Sequence, residues 1–122
     1  MTNNTPTETQ EQIALFQWAA NVRNRYPEIM LMYHVVNEGK RSQVAGHNLR
    51  LMGMRRGVPD VCLPVARGEC HGLYVEMKRV KGGRASPEQL WWIEQLRAQG
   101  YRAEICYGWE NAAQVIREYL DT

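Results

Sequence analysis

The sequence has few of the cysteines that stabilise small secreted proteins through disulfide bonds or small zinc proteins through a structural metal. It contains three cysteines and no Cys-x-x-Cys pair, which excludes a fully paired disulfide framework and the common zinc-finger spacing. Cys62 and Cys106 lie in strand-like segments, so we expect them to be small buried apolar residues. A zinc site at Cys70 and His71 would have no second ligand pair at a suitable spacing. With 122 residues, the chain is long enough to bury a hydrophobic core without disulfide bonds or a structural metal ion.

Long hydrophobic runs are also absent. The longest apolar run, Ile29–Val36, is too short to span a bilayer and is interrupted by a Tyr-His pair. Residues 1–10 are polar and lack the basic and apolar regions of a signal peptide. We therefore expect a cytoplasmic protein, with residues 1–7 as a disordered or frayed tail and residues 8–122 as a single domain.

The formal net charge of +2 is too small to identify a nucleic-acid partner. The distribution of the charge is more informative, because basic residues gather in the centre of the chain while acidic residues gather in the predicted terminal helices. This asymmetry suits a phosphate-binding surface, and solvated loop residues would explain it equally well. The central basic residues are Lys40, Arg41, Arg50, Arg55, Arg56, Lys78, Arg79, Lys81 and Arg84.

Two segments with a period of two, Gly57–Val65 and Leu73–Lys78, lie on either side of the turn-like Arg67-Gly68-Glu69. The pattern predicts two half-buried strands in an antiparallel hairpin. With symmetry about the central glycine, Asp60 lies opposite Glu76. One face then carries apolar side chains and the other carries polar ones. The apolar face holds Val61, Leu63, Val65, Leu73, Val75 and Met77, and the polar face holds Asp60, Glu76 and Lys78.

The facing carboxylates of Asp60 and Glu76 are the clearest chemical signal in the sequence. Side chains placed directly across a ladder start roughly 5 Å apart, and like charges so placed are destabilising. A divalent cation between them resolves the repulsion, with assistance from the nearby Lys78. Hard cations such as Mg²⁺ prefer oxygen ligands and often keep water molecules for chemistry.

The remaining segments predict an α/β fold of the mixed α+β kind, a small mixed sheet flanked by helices in the order α-β-α-β-β-α-β-α. The strand that follows the helix after Ser86 is expected to lie parallel to the second hairpin strand, through a right-handed crossover. The first predicted helix runs from Glu8 to about Arg25 with Thr7 as its cap, and a buried strand follows at Ile29–Val36. The second predicted helix is Ser42–Met54, with Val44, Ala45, Leu49 and Met52 facing inward. The C-terminal part is predicted to hold a helix from Ser86 to about Gln99 with Leu90, Ile93 and Leu96 facing inward, a strand Tyr101–Tyr107 and a helix Trp109–Leu120.

Pro59-Asp60, followed after fifteen residues by Glu76-Met77-Lys78, resembles the PD-(D/E)xK nuclease signature. Further motifs appear in order around it: Glu8 with Gln12, His34-Val35-Val36-Asn37-Glu38-Gly39, Arg41, Gly53 before Gly57, and Ser86-Pro87-Glu88-Gln89. Together they resemble the VRR-NUC branch of that superfamily, in the compact stand-alone form typical of phage and bacterial genomes. The resemblance extends from Glu8 to Leu120 and implies a restriction-endonuclease-like core.

The resemblance implies a DNA endonuclease that depends on Mg²⁺ or Mn²⁺. Asp60 and Glu76 would hold the cation, with the backbone carbonyl of Met77 as a further ligand. Lys78 would orient the attacking water or stabilise charge developing on the phosphate. The alternative for Lys78 is a solvated lysine at the end of a strand.

A glutamate of the first helix also matches the family pattern as a metal ligand. Glu8 fits the spacing best and Glu11 is the competitor. Gln89 matches a glutamine of the family motif near the active lysine. It would serve equally as the capping-box partner of Ser86, and the two roles are compatible.

The charge distribution makes Arg41, Lys40, Arg79, Lys81 and Arg84 the candidate DNA-contacting residues. Arg41 and His34 also lie where the family carries residues between its first strand and second helix. The alternative for His34 is a buried, hydrogen-bonded polar residue. The resemblance favours branched or junction DNA, including Holliday junctions, and a homodimer, with Trp91 or Trp92 as a candidate contact. Such a nuclease would act in the cytoplasm, which is that of the bacterial host cell if the protein is phage-encoded. The alternatives are a catalytically silent DNA-binding or assembly module with the same fold, and a nuclease that acts on tRNA.

Overall fold

The structure of the protein, a computed structural model, describes residues 4–36 and 43–122. Over these residues, helices flank a four-stranded sheet. The helices are α1 (Glu8–Asn21), α2 (Gln43–Leu51), α3 (Pro87–Ala98) and α4 (Trp109–Leu120), with a 3₁₀ helix at Pro27–Leu31. The strands are β1 (Tyr33–His34), β2 (Val61–Leu63), β3 (Leu73–Lys78) and β4 (Arg102–Tyr107). The predicted fold class and element order are confirmed. Within the described ranges, no helix is both long and apolar enough to cross a membrane.

The sheet has the strand order β1-β2-β3-β4. The first three strands pair antiparallel, and β4 pairs with β3 in parallel after the chain has passed through α3. Parallel neighbours need a connection long enough to reverse direction, and a helix is the usual one. The predicted parallel return of the last strand is therefore confirmed.

The β2–β3 hairpin has the predicted register, with Val61 opposite Val75 and Leu63 opposite Leu73. Strand β2 is shorter than predicted, because prolines at 59 and 64 supply no N–H and Gly57 adopts a positive φ of 91°. All three β2 residues and five of the six β3 residues are buried, so the prediction of half-buried strands was wrong for both. The apolar hairpin face packs into one core with α1 and α4, including Leu15, Ala19, Ala112 and Ile116.

The predicted buried strand Ile29–Val36 was wrong in its extent. Pro27 starts a 3₁₀ helix that ends at Leu31, and only Tyr33–His34 pair as a strand. Ile29 and Met32 are buried, whereas their neighbours in the same run are exposed. Proline suits the first position of a helix because it has no N–H to leave unpaired. The three-residue partner strand β2 also limits how far β1 can pair.

Helices α1 and α2 differ from their predicted bounds. Thr7 caps α1 in a capping box with Gln10, as its position predicted, but the helix ends at Asn21 rather than near Arg25. Ser42, the predicted first residue of this helix, and the side chain of Val44 lie outside the described residues. Leu49 is half-buried, but Ala45 and Met52 are exposed, so the inward placement of those two was wrong.

The C-terminal half follows the prediction closely. Helix α4 has the predicted bounds, and α3 runs from Pro87 to Ala98. Within α3, Ile93 is buried and Leu96 is half-buried, but Leu90 is 52% exposed and was wrongly predicted to face inward. Gln89 is buried in its place because it faces the polar side of the hairpin. Cys62 and Cys106 are buried as predicted, and burial raises the pKa of the Cys106 thiol to about 12.

Candidate metal centre

Three carboxylates lie close together at the polar face of the hairpin. Glu8 is the first residue of α1, Asp60 is the residue before β2, and Glu76 lies in the middle of β3. One oxygen from each lies within 4.8 Å of the others. Asp60 is oriented by its own hairpin, since its Oδ2 accepts a hydrogen bond from the Met77 N–H at 2.9 Å. The pairing that brings Asp60 beside Glu76 therefore also fixes the direction of its side chain.

Glu76 is almost completely buried, with 1% of its surface exposed. Its Oε2 accepts a hydrogen bond from Gln89 Nε2 at 3.0 Å. Its Oε1 is buried without a hydrogen-bond partner among the described residues. Burial, followed by the neighbouring Asp60 carboxylate, raises the pKa of Glu76 to about 9 from its usual 4.5. A buried carboxylate of this kind is costly without a compensating positive charge.

These observations fit a divalent cation. A cation that approaches the three carboxylates would supply a partner for Oε1 of Glu76 and offset the mutual repulsion of the carboxylates. All the candidate ligand atoms are oxygens, which is the donor set that Mg²⁺, Mn²⁺ and Ca²⁺ prefer. Glu8 and Asp60 are less deeply buried than Glu76, so the cluster opens toward solvent on their side.

Lys78 is the nearest cationic side chain to this cluster within the described ranges. Its Nζ lies 3.6 Å from Glu76 Oε2 and 3.9 Å from Glu8 Oε2. Only 5% of Lys78 is exposed, which rules out the solvated strand-end lysine considered as an alternative. Lys78 thus reaches the cluster from the same face of β3 as Glu76, two residues away.

The structure separates the two candidate glutamates of α1. Glu8 joins the carboxylate cluster. Glu11 is 5% exposed and accepts a hydrogen bond from the Trp109 N–H at 3.1 Å, at the start of α4. The residue before Trp109 is Gly108, which has no side chain to cap the helix. Glu11 therefore supplies a carboxylate to a helix N-terminus, where negative charge is stabilising.

The Gln89 side chain makes two hydrogen bonds at the same time. Its Oε1 accepts from the Ser86 N–H at 2.8 Å, which completes the capping box of α3. Its Nε2 donates to Glu76 at the same time. The capping geometry therefore holds the amide that contacts the carboxylate cluster.

The family of the chain follows from comparison with known proteins. The model of the VRR-NUC domain matches residues 7–110, which include all the residues of the cluster. The chain belongs to the VRR-NUC family. A solved structure described as a VRR-NUC domain protein superposes with a TM-score of 0.84 and 28% sequence identity, over 98% of this chain and 92% of that chain. A comparison with curated proteins gave no match. The predicted resemblance to this nuclease-type domain is confirmed.

Two further groups position Asp60 in this VRR-NUC domain. The Asp60 carbonyl accepts from the Val35 N–H at 2.7 Å and contacts His34 Nδ1 at 2.8 Å. A carbonyl only accepts, so Nδ1 is the donor. His34 is exposed rather than buried, but it is hydrogen-bonded as considered from the sequence. Sequence reasoning missed its positioning role, which depends on β1 pairing beside β2.

The predicted DNA-contacting residues of the VRR-NUC chain fall into three groups. Lys40 and Arg41 lie outside the described residues. Lys81 and Arg84 are exposed on the loop between β3 and α3, where a phosphate could reach them. Arg79 is half-buried, and its Nη2 donates to the Thr5 carbonyl at 3.4 Å. Arg79 thus contacts the N-terminal segment near Glu8.

Proposed function

We propose that this protein is a metal-dependent DNA endonuclease that hydrolyses phosphodiester bonds with Mg²⁺ or Mn²⁺. The observation that carries the proposal is the buried Glu76 carboxylate, which has an unpartnered oxygen in the described structure and lies beside Glu8, Asp60 and Lys78. An isolated cluster of acids would favour a binding site for any cation. The buried lysine and the membership of a nuclease-type family favour hydrolysis of a phosphodiester.

Asp60, Glu76 and Glu8 would hold the cation, with the backbone carbonyl of Met77 as a further ligand. A divalent cation bound there would polarise a phosphate oxygen and lower the pKa of a water molecule. Because Asp60 is fixed by the Met77 N–H and Glu76 by Gln89, both ligands are oriented before a cation arrives. Preorganised ligands reduce the cost of assembling the site.

Lys78 and Gln89 are proposed to be catalytic through different contacts. Lys78 Nζ lies at the edge of the cluster, where it can donate to the attacking water or to a phosphate oxygen as negative charge develops. Gln89 fixes the rotamer of Glu76 through its amide. Lys78 and Glu76 would therefore reach a phosphate from the same strand, while Glu8 would reach it from α1 and Asp60 from the residue before β2.

The proposed substrate is DNA, with branched or junction structures preferred. A homodimer is the proposed acting species, and the cytoplasm is its proposed location. Exposed Lys81 and Arg84 follow β3 directly and would contact phosphates beside the cluster, with Arg79 near the N-terminal segment. A two-fold dimer would place two clusters against a two-fold substrate. The family resemblance supports this preference.

A cleavage panel tests the proposal. Wild-type protein would be incubated with linear duplex, flap, four-way junction and RNA substrates, in Mg²⁺, Mn²⁺ or chelator. We expect metal-dependent cleavage of DNA, and a rate lower by about 100-fold or more in Asp60→Ala and Lys78→Ala. Glu104→Gln is the matched control, because Glu104 pairs with Arg97 and Arg102 on the surface.

Three outcomes would overturn the proposal. Asp60→Ala and Lys78→Ala proteins that cut as fast as wild type would place the chemistry elsewhere. DNA binding without cleavage of any substrate in any metal would favour the silent DNA-binding module. Cleavage restricted to the RNA substrates would assign the site to RNA.

A further inference from the structure

A groove lies between the segment that leads into Asp60 and the start of α3. Its volume is about 540 Å³, which is in the range of ligand sites. The floor and walls combine aromatic and basic side chains. They are formed by Arg55, Arg56, Pro87, Glu88, Trp91 and Trp92.

Each wall of the groove is close along the chain to a residue at the carboxylate cluster. Arg56 precedes Asp60 by four residues, which is at most about 14 Å of chain, and Glu88 is the neighbour of Gln89. The walls are held together at Gly57. A Cβ at Gly57 would lie 2.7 Å from the Glu88 carbonyl carbon, and its φ of 91° also disfavours other residues. In addition, the Trp92 indole N–H donates to the Arg56 carbonyl at 3.0 Å.

Trp91 presents an aromatic surface at this groove. It is 55% exposed although it is among the largest apolar side chains of the protein. It meets Trp92 edge-on, with ring centroids 5.6 Å apart and an interplanar angle of 88°. The hydrogen bond of the Trp92 N–H fixes the position of the Trp92 ring, and Trp91 packs against that ring at the edge of the groove. Exposed indole faces stack with nucleobases, and every base has a face that can stack.

The charges of the groove complement a nucleic-acid strand. Arg55 and Arg56 are exposed on one wall and suit phosphate oxygens. Glu88 on the other wall would repel a phosphate, so the backbone would follow the arginine side and leave the base on the tryptophan side. A purely apolar partner would gain nothing from the two arginines. A basic aromatic groove close along the chain to a cluster for phosphodiester hydrolysis therefore matches a strand with an unpaired base.

We propose that this groove binds an unpaired nucleobase of the DNA substrate by stacking on Trp91, with the adjacent phosphates on Arg55 and Arg56. The proposal rests on the function proposed above and narrows its substrate to DNA with an unstacked base near the cut. At a rise of 3.4 Å per nucleotide, the reach from Arg56 to Asp60 corresponds to about four nucleotides at most. In duplex DNA the base is unavailable, so a branch, flap or frayed end would be favoured.

Binding measured in chelator tests the groove without relying on cleavage. The probe is a fluorescein-labelled oligothymidine of about ten nucleotides, a length in the range that single-strand binding sites cover. A duplex of equal length is the comparison, and fluorescence anisotropy gives the affinity. We expect Trp91→Ala to weaken oligothymidine binding by about tenfold and to leave duplex binding unchanged. Trp91→Phe should retain most of the affinity, because phenylalanine also stacks.

Leu90→Ala is the matched control, since Leu90 is a neighbouring residue of α3 with a similar exposure of 52%. We expect it to bind oligothymidine as wild type does. Equal binding by Trp91→Ala and wild type, or no binding of oligothymidine by wild type, would overturn the inference. A Trp91→Ala protein that changes from dimer to monomer in sedimentation would also overturn it, by making a second copy the occupant. If wild type still cleaves DNA in these cases, the proposed nuclease function stands.

Discussion

Glu76 combines deep burial with an oxygen that has no hydrogen-bond partner in the described structure and a raised pKa. At neutral pH without a divalent cation, the raised pKa keeps a proton on its carboxyl group. The unfolded chain loses that proton near pH 4.5, whereas the folded chain keeps it to about pH 9. Between these values the folded state binds more protons than the unfolded state, so its stability falls as the pH rises.

The first prediction concerns this pH dependence. In chelator, the wild-type free energy of unfolding should fall between about pH 5.5 and about pH 8, with a contribution from Glu76 of at most about 1.4 kcal/mol per pH unit. Glu76→Gln should remove that contribution, because its amide is neutral in both states and still accepts from Gln89. Urea unfolding at the two pH values measures the difference.

Comparison of the two proteins cancels the other titrating groups, such as the histidines. Glu28→Gln is a surface control, since Glu28 pairs with Arg67 at 3.5 Å and is partly exposed. It should keep the wild-type pH dependence. An identical pH dependence in Glu76→Gln and wild type would show that Glu76 is ionised in the folded protein.

Glu8 and Glu11 show what sequence can and cannot resolve about a single residue. Both lie in the first turn of α1 and both fit the motif spacing approximately. Glu11, however, shares a buried stripe with Leu15 and Ala19, four residues apart at each step. An acid on a buried stripe indicates a structural partner, here the start of α4. That partner is distant in the sequence, so only the fold reveals it.

At the scale of elements, the residues that cap the start of α3 also position a hydrogen bond to the carboxylate cluster. Ser86 and Gln89 form a reciprocal capping box, and Gln89 uses its remaining donor on Glu76. The cap therefore defines where the Gln89 amide lies relative to the cluster. Loss of the cap and loss of the amide donor should have different consequences.

The second prediction separates these consequences. Gln89→Glu keeps an acceptor for the Ser86 N–H, so α3 should retain its cap, but it places a carboxylate against Glu76 where the amide donated. We expect DNA cleavage to fall by about 10-fold to 100-fold, as removal of a positioned hydrogen bond does. Ser86→Ala should lower the free energy of unfolding by about 1 kcal/mol and largely retain cleavage.

Cleavage rates and urea unfolding on the same preparations check both halves of this prediction. Gln89→Ala loses the amide donor and the side-chain half of the capping box but keeps the bond from the backbone N–H of residue 89 to Ser86 Oγ, so it should show the cleavage defect with only part of the stability loss of Ser86→Ala. If Ser86→Ala reduced cleavage as much as Gln89→Glu, the contact between Gln89 and Glu76 would have no role beyond capping.

The elements that the sequence predicts well carry local signals. The β2–β3 register follows from alternating residues around a short turn, and the start of α3 follows from Ser86-Pro87. The apolar run Ile29–Val36 carries no such alternation. The secondary structure of this segment depends on Pro27, which starts a 3₁₀ helix, and on the three-residue strand β2, which offers β1 few pairing partners. Apolar content alone therefore predicted burial where the fold gives a 3₁₀ helix.

At the scale of the whole molecule, the sheet joins two environments. The apolar face of the hairpin packs with α1 and α4 in the core, while the opposite face concentrates carboxylates that repel one another. Residues in a binding site commonly reduce stability for the sake of function. A cation that binds the cluster only in the folded state should raise the free energy of unfolding of the entire chain. The reason is that its ligands come from α1, from β3 and from the residue before β2.

The third prediction measures this increase without DNA. A divalent cation at about a hundredfold excess over its dissociation constant should raise the free energy of unfolding of wild type by about 2.7 kcal/mol. Glu8→Gln should lose most of the gain because a charged ligand is missing. Glu11→Gln should start about 0.5–1 kcal/mol lower, because the start of α4 loses a negative charge, and yet show the full gain.

Urea unfolding with Mg²⁺, Mn²⁺ or chelator gives both quantities for each protein. The pair of variants is well matched, since both replace a first-turn glutamate of α1 by its neutral isostere. A cation-dependent gain lost in Glu11→Gln and kept in Glu8→Gln would reverse the assignment of the third ligand. No gain in wild type would mean that the three carboxylates do not hold a cation in the absence of DNA, which would contradict this prediction.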